Sequence, residues 1–182
     1  MSPPIRIRIE GRLEFEFERE TWTAVKWDDE ASYHEGLRKI DAAAIDILAT
    51  QYRSAIYLIE IKDPRGFWTE YRDRNPNERL AEIIASKVRD TVSALVYARD
   101  RTPGNHLESH LKSLFHERNA RPFVVFWLEG AEIEPALATT LTGLIERRLK
   151  WLNPRVLVTS RRLWKGLPGL TICSLAGAPW TG

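Results

Sequence analysis

The chain has 182 residues, of which 43% are hydrophobic and 29% charged, values that are ordinary for a globular protein and that favour a single domain over residues 1–182. No apolar stretch reaches the roughly 18 residues that a membrane-spanning helix requires, and the N-terminus has no signal-peptide core, so we expect a cytoplasmic protein with no membrane role. Cys173 is the only cysteine, which excludes an internal disulfide and a cysteine metal cluster.

Charge is unevenly distributed, although the net charge is only +2. Residues 1–50 hold 7 Lys/Arg against 11 Asp/Glu, a balance of −4, whereas residues 141–182 hold 7 against 1, a balance of +6. A basic C-terminal quarter attracts phosphate backbones. Arg161, Arg162 and Lys165 in this quarter are therefore candidate contacts to nucleic acid. A solvated basic face with no binding role fits the same pattern equally well.

The N-terminal part of the chain predicts strands followed by a helix. Apolar and charged residues alternate over residues 5–9 and 13–17, and Gly11 lies between them, which predicts a β-hairpin. A third strand is predicted over residues 21–27, and a short helix over residues 28–39.

Residues 43–63 predict two apolar strands that are joined by a short polar turn and carry three charges: Asp46, Glu60 and Lys62. Side chains alternate between the faces of a strand, so Glu60 and Lys62 share one face with residues 56 and 58. Both faces are apolar upstream, which predicts a central strand covered on both sides. If the two strands are neighbours, Asp46 lies beside Glu60.

Charged side chains are rarely buried unless they are paired or bind a metal. Two close carboxylates repel each other unless they share a proton or a cation, and magnesium takes oxygen ligands of this kind. A lysine two residues beyond a ligand is suited to hold an attacking water or to stabilise developing negative charge. The pattern of Asp46, Glu60 and Lys62 therefore points to a divalent metal site with an ammonium group beside it.

The remainder of the chain alternates helices and strands. Residues 79–100 give the clearest helix, in which Lys87 borders the apolar stripe and either pairs with Asp90 or reaches the carboxylates. His106 and His110 follow at a metal-ligand spacing, but a plain surface helix is favoured there. The later predicted elements are a strand over residues 122–129, a helix over 132–152, a strand over 155–160 and a last edge strand over 170–175. This order indicates an α/β fold with a central mixed β-sheet flanked by helices.

Asp46, followed by Glu60-Ile61-Lys62 at the end of an apolar strand, resembles the PD-(D/E)xK nuclease superfamily. The context AAIDILA…YLIEIKDPRG is similar to that of a group of small bacterial proteins of this superfamily. The similarity covers residues 26–90, and the chain departs from the pattern at Ile45, which stands where the motif has proline.

The resemblance implies a restriction-endonuclease-like core, bound Mg²⁺ or Mn²⁺, and nucleic acid, DNA before RNA, as the substrate. It implies that Asp46, Glu60 and the carbonyl of Ile61 bind the metal. An additional acid would come from the preceding helix, where Glu35 is the first candidate and Glu30 the second. The catalytic set that it implies is Asp46, Glu60, Lys62 and Lys87. In such a nuclease, Arg65 and the basic C-terminal quarter, with Arg161, Arg162 and Lys165, would grip the nucleic-acid backbone.

Two other interpretations remain open. The chain fits a nuclease-like fold without catalysis, used as a binding or assembly subunit of a bacterial defence, repair or mobile-element system. It also fits an unrelated α/β protein in which Glu60 and Lys62 are merely a pair at a strand end. Burying three charges for stability alone is unfavourable, because desolvation can exceed the Coulombic gain, and this favours the nuclease. Whether the chain forms a homodimer or binds a protein partner is left open.

Overall fold

The computed structural model describes residues 2–9, 13–30, 42–52, 55–62, 75–99, 108–115, 121–128 and 133–175. The strands in these ranges are β1 (Ile5–Ile9), β2 (Leu13–Phe17), β3 (Trp22–Lys26), β4 (Ile47–Gln51), β5 (Ala55–Lys62), β6 (Phe123–Leu128), β7 (Arg155–Thr159) and β8 (Leu170–Ser174). The helices are α1 (Pro76–Arg99), α2 (Glu108–Phe115) and α3 (Pro135–Arg148), and a 3-10 turn spans Trp27–Asp29. The helix predicted over residues 28–39 lies mostly outside the described residues.

The main sheet is mixed and has five strands in the order β3-β4-β5-β6-β7. Strand β4 is antiparallel to both of its neighbours, β3 and β5, whereas β5, β6 and β7 run parallel to one another. Strand β5 is therefore the centre of the sheet, as its two apolar faces predict. The α/β fold with a central mixed sheet is confirmed.

A second, antiparallel sheet has the order β1-β2-β8. The pairing of Ile7 with Phe15 confirms that β1 and β2 are hairpin partners. Strand β8 is an edge strand, as predicted, but it pairs with β2, through Phe17 and Leu170, and not with the main sheet. The ring centroids of Phe15 and Trp127 are 6.1 Å apart, so the second sheet packs on one face of the first.

Two hydrophobic cores cover the two faces of the main sheet. On one face, Leu58 packs with residues of α1 such as Ile84 and Val88. On the other face, Ile59 and residues around it pack against the second sheet. Alternate residues of β5 therefore enter different cores, which is the alternation that its sequence predicts.

Helix α2 differs from the surface helix that we expected. His110 is fully buried, and its Nδ1 lies 2.6 Å from the hydroxyl of Thr50 in β4. The helix therefore packs against the main sheet, while His106 lies outside the described residues. None of the helices in the described ranges is both long and apolar enough to cross a bilayer.

One edge of the main sheet collects the polar ends of several strands. Because β5, β6 and β7 are parallel, their C-terminal residues lie along the same edge. The antiparallel register brings the end of β3 and the start of β4 to that edge as well, with Lys26 opposite Ile47. We call this the carboxyl edge; it holds Lys26, Asp46, Lys62, Leu128 and Thr159 at or next to the strand ends.

The central position of β5 makes a clear prediction for stability. Replacing Leu58, which is fully buried between β5 and α1, with alanine should lower the free energy of unfolding by about 2–5 kcal/mol, because a cavity is left in the core. The same replacement at Leu157, which is 40% exposed on β7, should cost no more than about 0.5 kcal/mol. Urea unfolding of both variants measures the difference, and equal losses would contradict the arrangement of the sheet.

Candidate functional site

The two acids that the sequence singles out face each other at the carboxyl edge. The antiparallel pairing of Ile47 with Ile59 places Asp46 opposite Glu60. Asp46 was expected within the first strand, but β4 begins one residue later, at Ile47. The carbonyl of Asp46 instead accepts a hydrogen bond of 2.8 Å from the Trp27 amide, which ties this residue to the end of β3.

The side chain of Asp46 bonds to the backbone of the central strand. The amide of Ile61 donates a hydrogen bond of 2.6 Å to Oδ2 of Asp46. The N–H and C=O of one strand residue point to the same side of the strand. The carbonyl of Ile61 is therefore directed toward the β4 side, where Asp46 lies, as a role for it in metal binding requires.

Glu60 is 1% exposed and lies between two lysines. Its Oε1 accepts a hydrogen bond of 2.7 Å from Nζ of Lys87 on α1, and Nζ of Lys62 is 3.5 Å from the same oxygen. Its Oε2 is buried and has no hydrogen-bond partner in the described part of the chain. Of the two partners that the sequence allows for Lys87, the structure therefore shows the carboxylate site and not Asp90. Asp90 instead contacts Arg89 and the amide of Ala43.

The acids share a site in which both are difficult to ionise. Burial, and to a smaller degree the charge of Asp46, raises the pKa of Glu60 to about 7, although Lys87 and Lys62 oppose this. Burial also raises the pKa of Asp46, against the effects of Lys87 and of the Ile61 hydrogen bond. A cation placed between two such carboxylates would relieve both effects.

The two lysines have different surroundings. Burial disfavours the charged form of Lys87, but the charge of Glu60 and the hydrogen bond to it outweigh burial, so the pKa of Lys87 is raised. Its side chain is 18% exposed, whereas that of Lys62 is 35% exposed. Lys87 is therefore a fixed internal ammonium, and Lys62 is the one that can meet a molecule arriving from solvent.

Asp28 is a third acid near the site that sequence reasoning missed as a site residue. Its charge raises the pKa values of both Asp46 and Lys87. Its Oδ1 is buried and has no hydrogen-bond partner among the residues described, while Oδ2 lies 3.5 Å from Nζ of Lys26. Its place just after β3, the strand next to Asp46, is the signal in the sequence, although the acidic run at residues 28–30 also suits a helix start.

The donor groups fit a magnesium-type ion. Mg²⁺ is usually held by one or two carboxylates and keeps several waters. The site offers Asp46, the carbonyl of Ile61, and Oε2 of Glu60, to which no described residue donates a hydrogen bond. Within the described ranges, no group of three or more His, Cys, Asp or Glu side chains is arranged to hold an ion. Glu35, the predicted additional ligand, lies outside those ranges, and Glu30 is described but joins no such group.

The basic residues predicted to bind nucleic acid follow β7 at the carboxyl edge. Arg161, Arg162 and Lys165 are exposed, and Arg162 donates a hydrogen bond of 3.1 Å to the carbonyl of Ile133. Strand β7 is two strands from β5, which corresponds to about 10 Å along the edge at the usual strand spacing. The fourth predicted contact, Arg65, lies outside the described residues.

Comparison of the chain with protein-family models, with curated proteins and with solved structures finds no match. The functional interpretation therefore depends on the geometry of the site and on the residues that resemble the nuclease motif.

The raised pKa of Glu60 predicts how stability changes with pH. Between its ordinary pKa of 4.5 and about 7, the folded protein holds a proton that the unfolded chain has released. The free energy of unfolding should therefore fall as pH rises through this range, by up to about 1.4 kcal/mol per pH unit for each such proton. Asp46 contributes in the same direction.

Urea unfolding between pH 4.5 and 8 without divalent ions measures this dependence. Glu60→Gln removes the ionisable group and should flatten the slope, whatever its effect on absolute stability. Glu146→Gln, a change at an exposed position on α3, is the matched control and should keep the slope. A wild-type slope that Glu60→Gln leaves unchanged would show that Glu60 is not its source.

Proposed function

We propose that this protein is a metal-dependent nuclease that hydrolyses phosphodiester bonds, with DNA as its substrate, and that it acts in the cytoplasm. The main support is that the partly buried Asp46, next to the start of β4, faces the buried Glu60 of β5, with Oε2 of Glu60 left without a hydrogen bond from the described residues. A buried ion network is a poor means of stabilising a fold. A chemical role explains why these charges lie together at the carboxyl edge of the main sheet.

The chain's groups divide into those that hold a metal and those that act beside it. Asp46, Glu60 and the carbonyl of Ile61 would hold Mg²⁺ or Mn²⁺. When bound, such an ion lowers the pKa of a water and offsets charge on the scissile phosphate.

Each lysine has a separate role in this proposal. Lys87 holds Oε1 of Glu60, so that Oε2 is the oxygen left for another ligand. Lys62, on the accessible side, orients the attacking water and stabilises negative charge that develops on the phosphate.

The choice of DNA follows from the resemblance to the PD-(D/E)xK nucleases.

The basic residues after β7 would bind the rest of the strand. Arg161, Arg162 and Lys165 are exposed at the same edge as the carboxylates, so they would contact phosphates beside the one that is cut. Arg65 follows β5 in sequence and is proposed for the same role. A homodimer or a protein partner is compatible with this arrangement.

One observation favours a second candidate, a catalytically inactive binding or assembly subunit with a nuclease-like fold. Both lysines approach the same oxygen of Glu60, so that the carboxylate already has positive charge beside it without an ion. In this case the network would be a remnant of a catalytic site, and the basic residues at the carboxyl edge would account for binding alone.

Metal binding can be tested by thermal unfolding during titration with MgCl₂ or MnCl₂. A bound ion should stabilise the folded state by about 2.7 kcal/mol at a concentration of one hundred times Kd. Asp46→Asn keeps a side-chain oxygen for the Ile61 amide but removes the negative charge, and should abolish the stabilisation. Glu146→Gln again serves as the exposed control. No ion-dependent change in wild type would contradict the metal site.

Cleavage can be tested by nicking of supercoiled plasmid and by degradation of single-stranded DNA with Mn²⁺. Lys62→Ala should lower kcat by about 10²–10³-fold, as expected for loss of one group that stabilises the transition state, and should keep metal binding.

Lys165→Ala serves as the comparison for Lys62→Ala, because it removes a lysine at the same edge of the sheet. It should weaken DNA binding and reduce the salt dependence by about one phosphate contact. A wild type that binds Mn²⁺ and DNA without cleaving would support the inactive subunit.

A further inference from the structure

The segment that leads into β4 is held by side chains of α1. Residues 43–46 precede the strand and belong to none of the strands described. The amide of Ala43 donates a hydrogen bond of 3.1 Å to Oδ2 of Asp90, and the amide of Ile45 donates one of 3.2 Å to the hydroxyl of Thr91. Ile45 and Thr91 are both 0% exposed, so no solvent competes for this second bond.

The same helix holds both acids of the site. Lys87, Asp90 and Thr91 are spaced i, i+3 and i+4, so they lie on one face of α1. Lys87 contacts Glu60 directly, whereas Asp90 and Thr91 contact the backbone just before Asp46. Helix α1 is thus a common support that fixes where Asp46 stands relative to Glu60.

Thr91 is a buried polar residue on a mainly apolar side of α1. Its neighbours on the buried side of α1, Val88 and Leu95, are apolar and belong to the core between the helix and the main sheet. An aliphatic residue would suit this position equally well for packing. The hydroxyl is explained by the Ile45 amide, which would otherwise be buried without an acceptor, at a cost of about 1–3 kcal/mol.

We propose that Thr91 and Asp90 are positioning residues of the carboxylate site: they hold the amides of Ile45 and Ala43 and so fix the Asp46 carboxylate against the Ile61 amide and opposite Glu60. The inference rests on the proposed function, because it takes Asp46 and Glu60 as the metal-binding pair. Neither residue touches the reacting atoms. Their effect passes through the backbone of residues 43–46.

The test compares Thr91→Val with Thr91→Ser in the full chain. The valine keeps the shape of threonine without the hydroxyl, and the serine restores the hydroxyl. Isothermal titration with MnCl₂ should give a Kd at least about tenfold higher for Thr91→Val, the range found when outer-shell partners of metal ligands are removed. Thr91→Ser should return the Kd to near that of wild type.

Amide hydrogen exchange without metal provides a second measurement. The Ile61 amide bonds to the Asp46 carboxylate, whereas the Ile59 amide faces Ile47 across the regular β4–β5 ladder. In Thr91→Val, exchange at Ile61 should accelerate relative to Ile59 by about tenfold, which corresponds to about 1.4 kcal/mol of lost protection. Thr91→Ser should restore the wild-type ratio.

Val88→Ala is the control for general destabilisation. Val88 is fully buried on the same helix but is apolar, so its truncation weakens the fold without removing a hydrogen bond. It should leave both the Mn²⁺ affinity and the Ile61-to-Ile59 exchange ratio unchanged. If Thr91→Val does not fold, Asp90→Ala takes its place, because it removes the acceptor of the Ala43 amide at a partly exposed side chain. It should likewise raise the Kd for Mn²⁺ and accelerate exchange at Ile61 relative to Ile59.

The outcomes separate this inference from the proposed function. If wild type binds Mn²⁺ but Thr91→Val and Asp90→Ala change neither the Kd nor the exchange ratio, the positioning role is overturned and the metal site stands. If wild type does not bind Mn²⁺, the proposed function fails, and exchange at Ile61 still decides whether Thr91 and Asp90 hold Asp46. An effect of Val88→Ala as large as that of Thr91→Val would also overturn the inference.

Discussion

The contact between Nζ of Lys87 and Oε1 of Glu60 is the interaction on which the site depends. Glu60 lies on the central strand of the sheet and is almost completely removed from water, so its charged form is costly unless a positive charge lies beside it. Helix α1 brings that charge and at the same time covers the hydrophobic face of the sheet with Leu80, Ile84 and Val88. One helix therefore provides both the apolar side chains that cover the sheet and the ammonium group that pairs with Glu60.

The central part of this arrangement could be predicted from the sequence because it depends on local periodicity. Alternation along β5 assigns its residues to two faces, and both cores follow from it. Asp46 lies opposite Glu60 because the two strands form an antiparallel pair, and the short connection between them sets the register. The contact of Lys87 with Glu60 is one of two alternatives that the sequence allows, because helical spacing also permits a local ion pair with Asp90.

The features that sequence reasoning missed are set by contacts between distant parts of the chain. Asp28 looked like the start of a helix, and its relation to Asp46 depends on how β3 pairs with β4. His110 looked like a surface residue, and its burial depends on Thr50 in a strand far earlier in sequence. Strand β8 was recognised as an edge strand, but the choice between the two sheets depends on β2. No local pattern encodes these pairings.

The pairing of β2 with β8 joins two strands that lie far apart in the sequence, through contacts such as Leu13 with Ser174. Contacts between residues so distant in sequence form slowly, because closing the long loop between them costs conformational entropy before the pairing stabilises the sheet. Until β8 leaves the ribosome, Phe15 and Phe17 of the early hairpin lack the strand that completes their sheet. Apolar surface of this kind attracts chaperones and other nascent chains. The second sheet is thus expected to close late in biogenesis.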